Sequence, residues 1–231
     1  MRIIRAARSF RIGGDVALEA MSLLKEVRDW LAPLNQKILG HPYITEAEEG
    51  TLHLNKVKAF VTNQYYIVSH DIKSLALMLS RSGTRREADF FKNILNGDVE
   101  GLRLLVKLAE SLGFSVQELE NYTAIPEAVA YAHYLAALAC FAFPGEQAMA
   151  LIVNLPVWGS NCGKLSKALR ERYGIDETGF LDIFTSPMEE AEKEALQVME
   201  GYLPARREHM KRAAKLIQAY ELMFWNGIYE K

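Results

Sequence analysis

Asn55 to Arg81 reads NKVKAFVTNQYYIVSHDIKSLALMLSR. Val57, Phe60, Val61, Tyr65, Val68, Ile72, Leu75 and Leu79 recur three or four residues apart, with no internal Gly or Pro. That spacing predicts one long amphipathic helix. At 1.5 Å rise per residue it extends about 40 Å, enough to cross a domain. Asn63, Gln64, Tyr66, His70 and Asp71 interrupt the apolar pattern as a polar seam. Gln64 and Asp71 fall two turns apart on one side, and Tyr66 and His70 one turn apart on the adjacent side. Buried, such groups need partners or an enclosed ligand, because an unpaired polar group in a core is costly. A seam facing water is the competing reading, and at this stage both stand.

Working outward, the helical pattern repeats along the chain. Leu18, Met21, Leu24, Val27, Leu31 and Leu34 keep helical spacing after Gly13-Gly14, with Asp15 as a cap and Pro33 as a kink or break. His41-Pro42-Tyr43 turns into the short helical piece TEAEEG. Thr84 with Glu87, and Ser115 with Glu118, form capping boxes. Asn96-Gly97 marks a break and Asp98 a fresh start. Pro126 opens EAVAYAHYLAALACFAF, and EQAMALIVNL follows until Pro156 interrupts it with the irregular PVWGSNCG. Ser186-Pro187 with Glu189 supplies a helix start running to Leu203, and Pro204 opens or bends the last helix. No strand alternation, fixed-period repeat or long linker is present. The expectation is an all-α, single-domain irregular helical bundle of seven to nine helices spanning 1–231, with residues 1–14 a basic arm or packed first helix.

Composition narrows the function. Half of the 231 residues are apolar and the formal charge is -2, which gives no reason to expect nucleic acid. Cys140 and Cys162 cannot build a disulfide framework and imply a reducing compartment, so the cytoplasm is expected. LAALACFAF is too short to span a bilayer. The five histidines are scattered without HxxxH or Glu-x-x-His spacing, so neither metal nor cofactor is expected. The run MEEAEKEA reads as a solvated helix start, and the basic residues from Arg206 to Lys215 as one surface patch.

Two stretches outside the central helix bear chemistry. Glu221, in QAYELMFWNGIY, lies one turn before Trp225 among large apolar side chains. Such an environment raises a carboxyl pKa and makes a proton donor or acceptor; an exposed helix edge is the commoner alternative. Leu155 to Gly163 combines Pro156 with two glycines, where freed backbone groups can meet a ligand. Cys162 lies within it, a thiol nucleophile or a small core residue.

Three separated stretches together resemble one family. His41-Pro42-Tyr43, Gly50-Thr51-Leu52 and Phe60 to Tyr66 are similar to the opening of the TenA/THI-4 family, relatives of the PQQ-synthesis protein PqqC. Ala130 to Leu135 followed by Leu155-Pro156 resembles its central region, and Tyr220-Glu221-Leu222-Met223-Phe224-Trp225 its C-terminal Glu-x-x-Phe-Trp signature. The likeness extends from His41 to Tyr229 and implies a heme-oxygenase-like helical fold.

In the classical members, which hydrolyse aminopyrimidines or thiamine in salvage, a cysteine after the central Leu-Pro is the nucleophile; here that position is Val157. The carboxylate that grips the ring's amino group falls on Gln64, while the C-terminal acid matches Glu221. Cys162 lies five residues beyond the nucleophile position and substitutes for it only if the chain at Gly159 swings it inward. The resemblance therefore implies a divergent hydrolase in which Glu221 moves the proton, Gln64 positions a small aromatic heterocycle, and Tyr65, Tyr66, Tyr131, Trp158 and Trp225 enclose it. His70, Asp71 and Asn161 are further ligand-binding candidates. Two alternatives stay open. One is a PqqC-like, cofactor-independent oxidase, with Asn161 near where that branch places a histidine. The other is a heterocycle-binding or oligomeric scaffold without catalysis. Homodimers or homotetramers are expected of this fold.

Overall fold

The computed structural model describes residues 2–230, with side chains from Leu18 onward. The basic arm expected at residues 1–14 lies outside the residues whose side chains are described. Ten α-helices follow one another among the described residues: α1 (Arg2–Leu39), α2 (Pro42–Glu49), α3 (Leu54–Ser80), α4 (Arg85–Ser111), α5 (Val116–Glu120), α6 (Pro126–Phe141), α7 (Pro144–Tyr173), α8 (Gly179–Asp182), α9 (Glu189–Glu200) and α10 (Arg207–Tyr229). A single 3-10 turn, Ile183–Thr185, continues α8, and no strand occurs among these residues. The bundle is all-α and single-domain, with one more α-helix than the upper end of the expected range.

Local chemistry sets most of the helix starts. His41 caps α2 by accepting the Tyr43 N–H on Nδ1 at 3.1 Å, and Gly50 closes it in the left-handed region at φ 75°. Its other ring nitrogen then donates to Asn226 Oδ1 at 3.0 Å, which joins α2 to α10. Both capping boxes form, at Thr84–Glu87 and Ser115–Glu118.

Three expected breaks are absent. Pro33 lies inside α1, the Asn96-Gly97 pair inside α4, and Pro156 with Gly159 inside α7. Pro156 cannot donate to the Ile152 carbonyl, and Arg28 from α1 reaches that carbonyl with a long hydrogen bond of 3.5 Å. Gly159 lets another backbone approach: a Cβ there would lie 2.3 Å from the Phe184 carbonyl oxygen. The start at Ser186-Pro187 also shifts. Met188 is the N-cap of α9, which lacks a side-chain cap and ends at Glu200 rather than Leu203.

α3 crosses the molecule and packs on α4 and α6, while α10 packs on α6 and α7. One apolar core centres on Phe60, Phe180, Phe224 and Trp225, and a second on Leu24, Phe90, Met149 and Ile217. Tyr131 touches both.

Candidate active site

Between the two cores lies a half-open hollow of about 650 Å³ of atom-free space, mouth included. Each helix around it contributes one face. α3 supplies Gln64, Ile67, Val68, Asp71 and Leu75, and α7 supplies Leu151, Asn154, Leu155 and Trp158, both at helical spacing. Ile94 and Asp98 come from α4, Tyr131 and Leu135 from α6, and Glu221 and Phe224 from α10. Phe180 and Phe184 complete the wall. They are held in place by Asp182, which accepts hydrogen bonds from Ser166 (2.5 Å), Arg170 (3.0 Å) and Thr178 (3.0 Å).

The inner wall of the hollow is a connected polar chain. Tyr131 donates to Asn154 Oδ1 at 3.0 Å. The Asn154 amide donates to Glu221 Oε2 and, at 2.9 Å, to Gln218 Oε1. Gln218 passes the chain to Asn35 of α1 at 2.6 Å. From the other side, Trp225 Nε1–H donates to Glu221 Oε1 at 3.3 Å. Glu221 is 2 % exposed, and burial pushes its carboxyl up to about 8 although both hydrogen bonds pull the other way. An acid with that value is largely protonated at neutral pH. It can give a proton and, once ionised, take one back.

Two more acids face the same space. Asp71 is buried, and burial followed by the charge of Asp98 holds its carboxyl well above the usual range. Burial pushes Asp98 up to about 7. Burial, then the charges of Asp71, Glu221 and Asp98, keep the Tyr131 hydroxyl well above its ordinary value, so it is a donor at any working pH.

The structure sorts the residues singled out in the sequence. Gln64, Asp71, Tyr131, Trp158 and Glu221 converge on the hollow. Trp225 stands behind Glu221 in the core, with its ring centroid 5.7 Å from that of Trp158. The other five lie elsewhere. Tyr66 and His70 stack at 4.0 Å on the adjacent face of α3, where the Tyr66 hydroxyl meets His133 Nε2 at 3.1 Å. His70 Nδ1–H donates to the Tyr66 carbonyl at 2.7 Å. Tyr65 is half-buried on that helix and does not line the hollow. Asn161 is fully buried and donates to the Ile38 carbonyl at 3.0 Å, fastening α7 to α1.

Cys162, considered as a replacement nucleophile, is a core residue. It is fully buried and absent from the lining; burial, then the charges of Glu221 and Asp182, hold its thiol well above the ordinary value. The unbroken α7 removes the swing that would have brought it inward.

Asn154, Asp98, Gln218 and Asn35 escaped the sequence reading. The only signal for Asn154 was a polar residue in the apolar run EQAMALIVNL.

Among the described residues, no three His, Cys, Asp or Glu side chains are grouped to hold a metal ion. No helix among them is long and apolar enough to cross a membrane.

A family model described as the TENA/THI-4/PQQC family matches residues 28–231. The chain is similar in structure to a TenA homologue from Pyrococcus furiosus, at 20% identity and a TM-score of 0.76, over 90% of this chain and 100% of that one. A protein from Sulfolobus solfataricus described as a candidate TenA-like thiaminase aligns at 16% identity and a TM-score of 0.71, over 89% and 95% of the two chains. A domain of unknown function with a heme oxygenase-like fold, from Shewanella denitrificans OS217, aligns at 13% identity and a TM-score of 0.76, over 90% and 92%. No curated protein matches this chain by sequence.

Proposed function

The chain belongs to the TENA/THI-4/PQQC family and has its heme oxygenase-like fold, and from that premise we propose that it hydrolyses a small aminopyrimidine or thiamine-like heterocycle in salvage, without a covalent intermediate. One observation carries this reading. Glu221 is a buried acid, protonated near neutrality, held between Asn154 and Trp225 at the wall of an aromatic-lined hollow. Trp158, Phe184 and Phe224 offer faces and edges to a flat ring, and Gln64 can both donate to and accept from its nitrogens.

The step balances with one water and one acid. Glu221 gives its proton to a ring nitrogen, and the oxygen of water bonds to the carbon that bears the amine. Glu221 takes a proton from that water, the C–N bond breaks, and the ring returns its proton to the departing nitrogen. Hydroxylated ring and free amine result, and Glu221 ends as it began.

The oxidase alternative fits the hollow less well. Among the described residues its lining holds three acids and no Lys, Arg or His, so nothing there pairs with the several carboxylates of such a substrate. A cationic or neutral amine would not.

Replacing Glu221 by Gln tests the proposal. Turnover of an aminopyrimidine should fall by roughly 10²- to 10⁴-fold, the range typical of a lost general acid, while ring binding persists. Equal turnover in wild type and variant, or none in wild type, would overturn it and favour a heterocycle-binding protein. The functional assembly is proposed to be a homodimer or homotetramer in the cytoplasm, which sedimentation and fractionation would test.

A further inference from the structure

Proton transfer at Glu221 leaves two acids of the hollow without a task. Asp71, from the middle of α3, is 7 % exposed, and its Oδ1 has no hydrogen-bond partner among the described residues. Asp98, from α4, lines the same space and lies near enough for its charge to act on Asp71. Tyr131 lines the same space, close enough to feel the charge of all three acids.

A buried acceptor left unpaired is costly, and two neighbouring carboxyls oppose each other's ionisation. Keeping a proton eases the second cost but not the first, and no Lys, Arg or His among the described residues lines the hollow. Nor is the pair a metal site, since no third ligand of the usual type joins it among the described residues. What fits is a compact cation with several N–H donors: an ammonium group has three and no acceptor of its own. It would satisfy Asp71 Oδ1, neutralise Asp98, and leave its attached ring against Trp158, whose face also favours positive charge.

We propose that Asp71 and Asp98 form a subsite for a protonated aliphatic amine, so that the ligand of this hollow is a cationic aromatic amine with its ring toward Trp158 and its ammonium between the two acids. The inference rests on the hollow being the ligand site, as proposed above, but does not require turnover. It adds to the ring contacts a charge requirement on an arm that those contacts do not touch.

Benzylamine and benzyl alcohol are the probes, since they share a ring and an arm length and differ in charge. Titration calorimetry at pH 8 compares their binding to wild type, Asp98→Asn and Glu221→Gln, each first shown to melt cooperatively. Wild type should prefer benzylamine by about tenfold or more, the size expected of a charge-assisted hydrogen bond. Asp98→Asn should lose most of that preference while holding benzyl alcohol within about twofold. Glu221→Gln should keep it. Equal affinity of wild type for the two probes, or parallel losses of both in Asp98→Asn, would overturn the subsite. If the charge preference holds while Glu221→Gln leaves turnover unchanged, the subsite stands and the hydrolase reading falls. The reverse pattern removes the subsite alone.

Discussion

Glu221 receives hydrogen bonds from Asn154 and Trp225 and still has its carboxyl pushed up to about 8, so burial outweighs two donors. The required form in the proposed step is the protonated one. The rate should therefore hold across neutral pH and decline as pH rises through about 8, which a pH–kcat profile would show.

Asp98 links protonation to stability instead. Its folded value of about 7 stands above the ordinary 3.8. The folded chain thus holds a proton that the unfolded chain releases between about pH 4 and 7. Its stabilising contribution is fully present below that window and is lost as pH rises through about 7. Asp98→Asn should change melting little at pH 4 and raise it at pH 8. Asp98 is partly exposed, so screening limits the gain to about 1 kcal/mol, or roughly 2–4 °C for a domain of this size.

At this scale Gln64, Asp71 and Glu221 stood out locally as polar positions on helical stretches, whereas Tyr131 and Trp158 were named through the family resemblance, Trp158 from a segment that reads as irregular. Asp98 looked like a helix start, since it follows Asn96-Gly97. Its convergence on Asp71 is a property of two packed helices, which neither segment encodes alone.

Helix α7 is where local propensity and tertiary packing disagree most. Pro156 and Gly159 both read as breakers, yet the helix continues from Pro144 to Tyr173 because its neighbours tolerate or use each fault. Arg28 meets the carbonyl that Pro156 leaves without an intrahelical donor, and the Phe184 backbone fills the space that Gly159 leaves open. These compensations come from α1 and the 3-10 turn, so a reading of the α7 segment could not foresee them. The capping boxes of α4 and α5 needed no partner from afar and were legible for that reason.

The two sites should respond in opposite senses. Pro156→Ala restores an N–H toward Ile152 and should stabilise the protein by roughly 1–3 kcal/mol in denaturant melts. Gly159→Ala gains helix propensity but drives a methyl into the Phe184 carbonyl. It should destabilise by about 2 kcal/mol and weaken ring binding by displacing the Phe184 wall. A stabilised Gly159→Ala with unchanged binding would show that the turn yields freely.

The hollow occupies the seam between the molecule's two apolar cores. Its lining draws Ile67, Val68, Phe180 and Phe224 from one core and Leu75, Leu135 and Leu151 from the other, with Tyr131 packed against both. A ligand seated there touches α3, α4, α6, α7, α8 and α10 at once. It therefore bridges the two halves rather than decorating one. Binding energy of that kind enters global unfolding in full, by RT ln(1 + [L]/Kd), whereas a ligand on one half would leave the other free to open alone. At a hundredfold excess over Kd, a true ligand should add about 2.7 kcal/mol and raise the melting midpoint by roughly 5–10 °C. Amide exchange distinguishes the two cases: protection should rise together along α3, α7 and α10, each of which contributes buried side chains to both cores. Protection confined to the helices around Phe60 would place the ligand within a single core and away from the seam that Glu221 and Asp71 share.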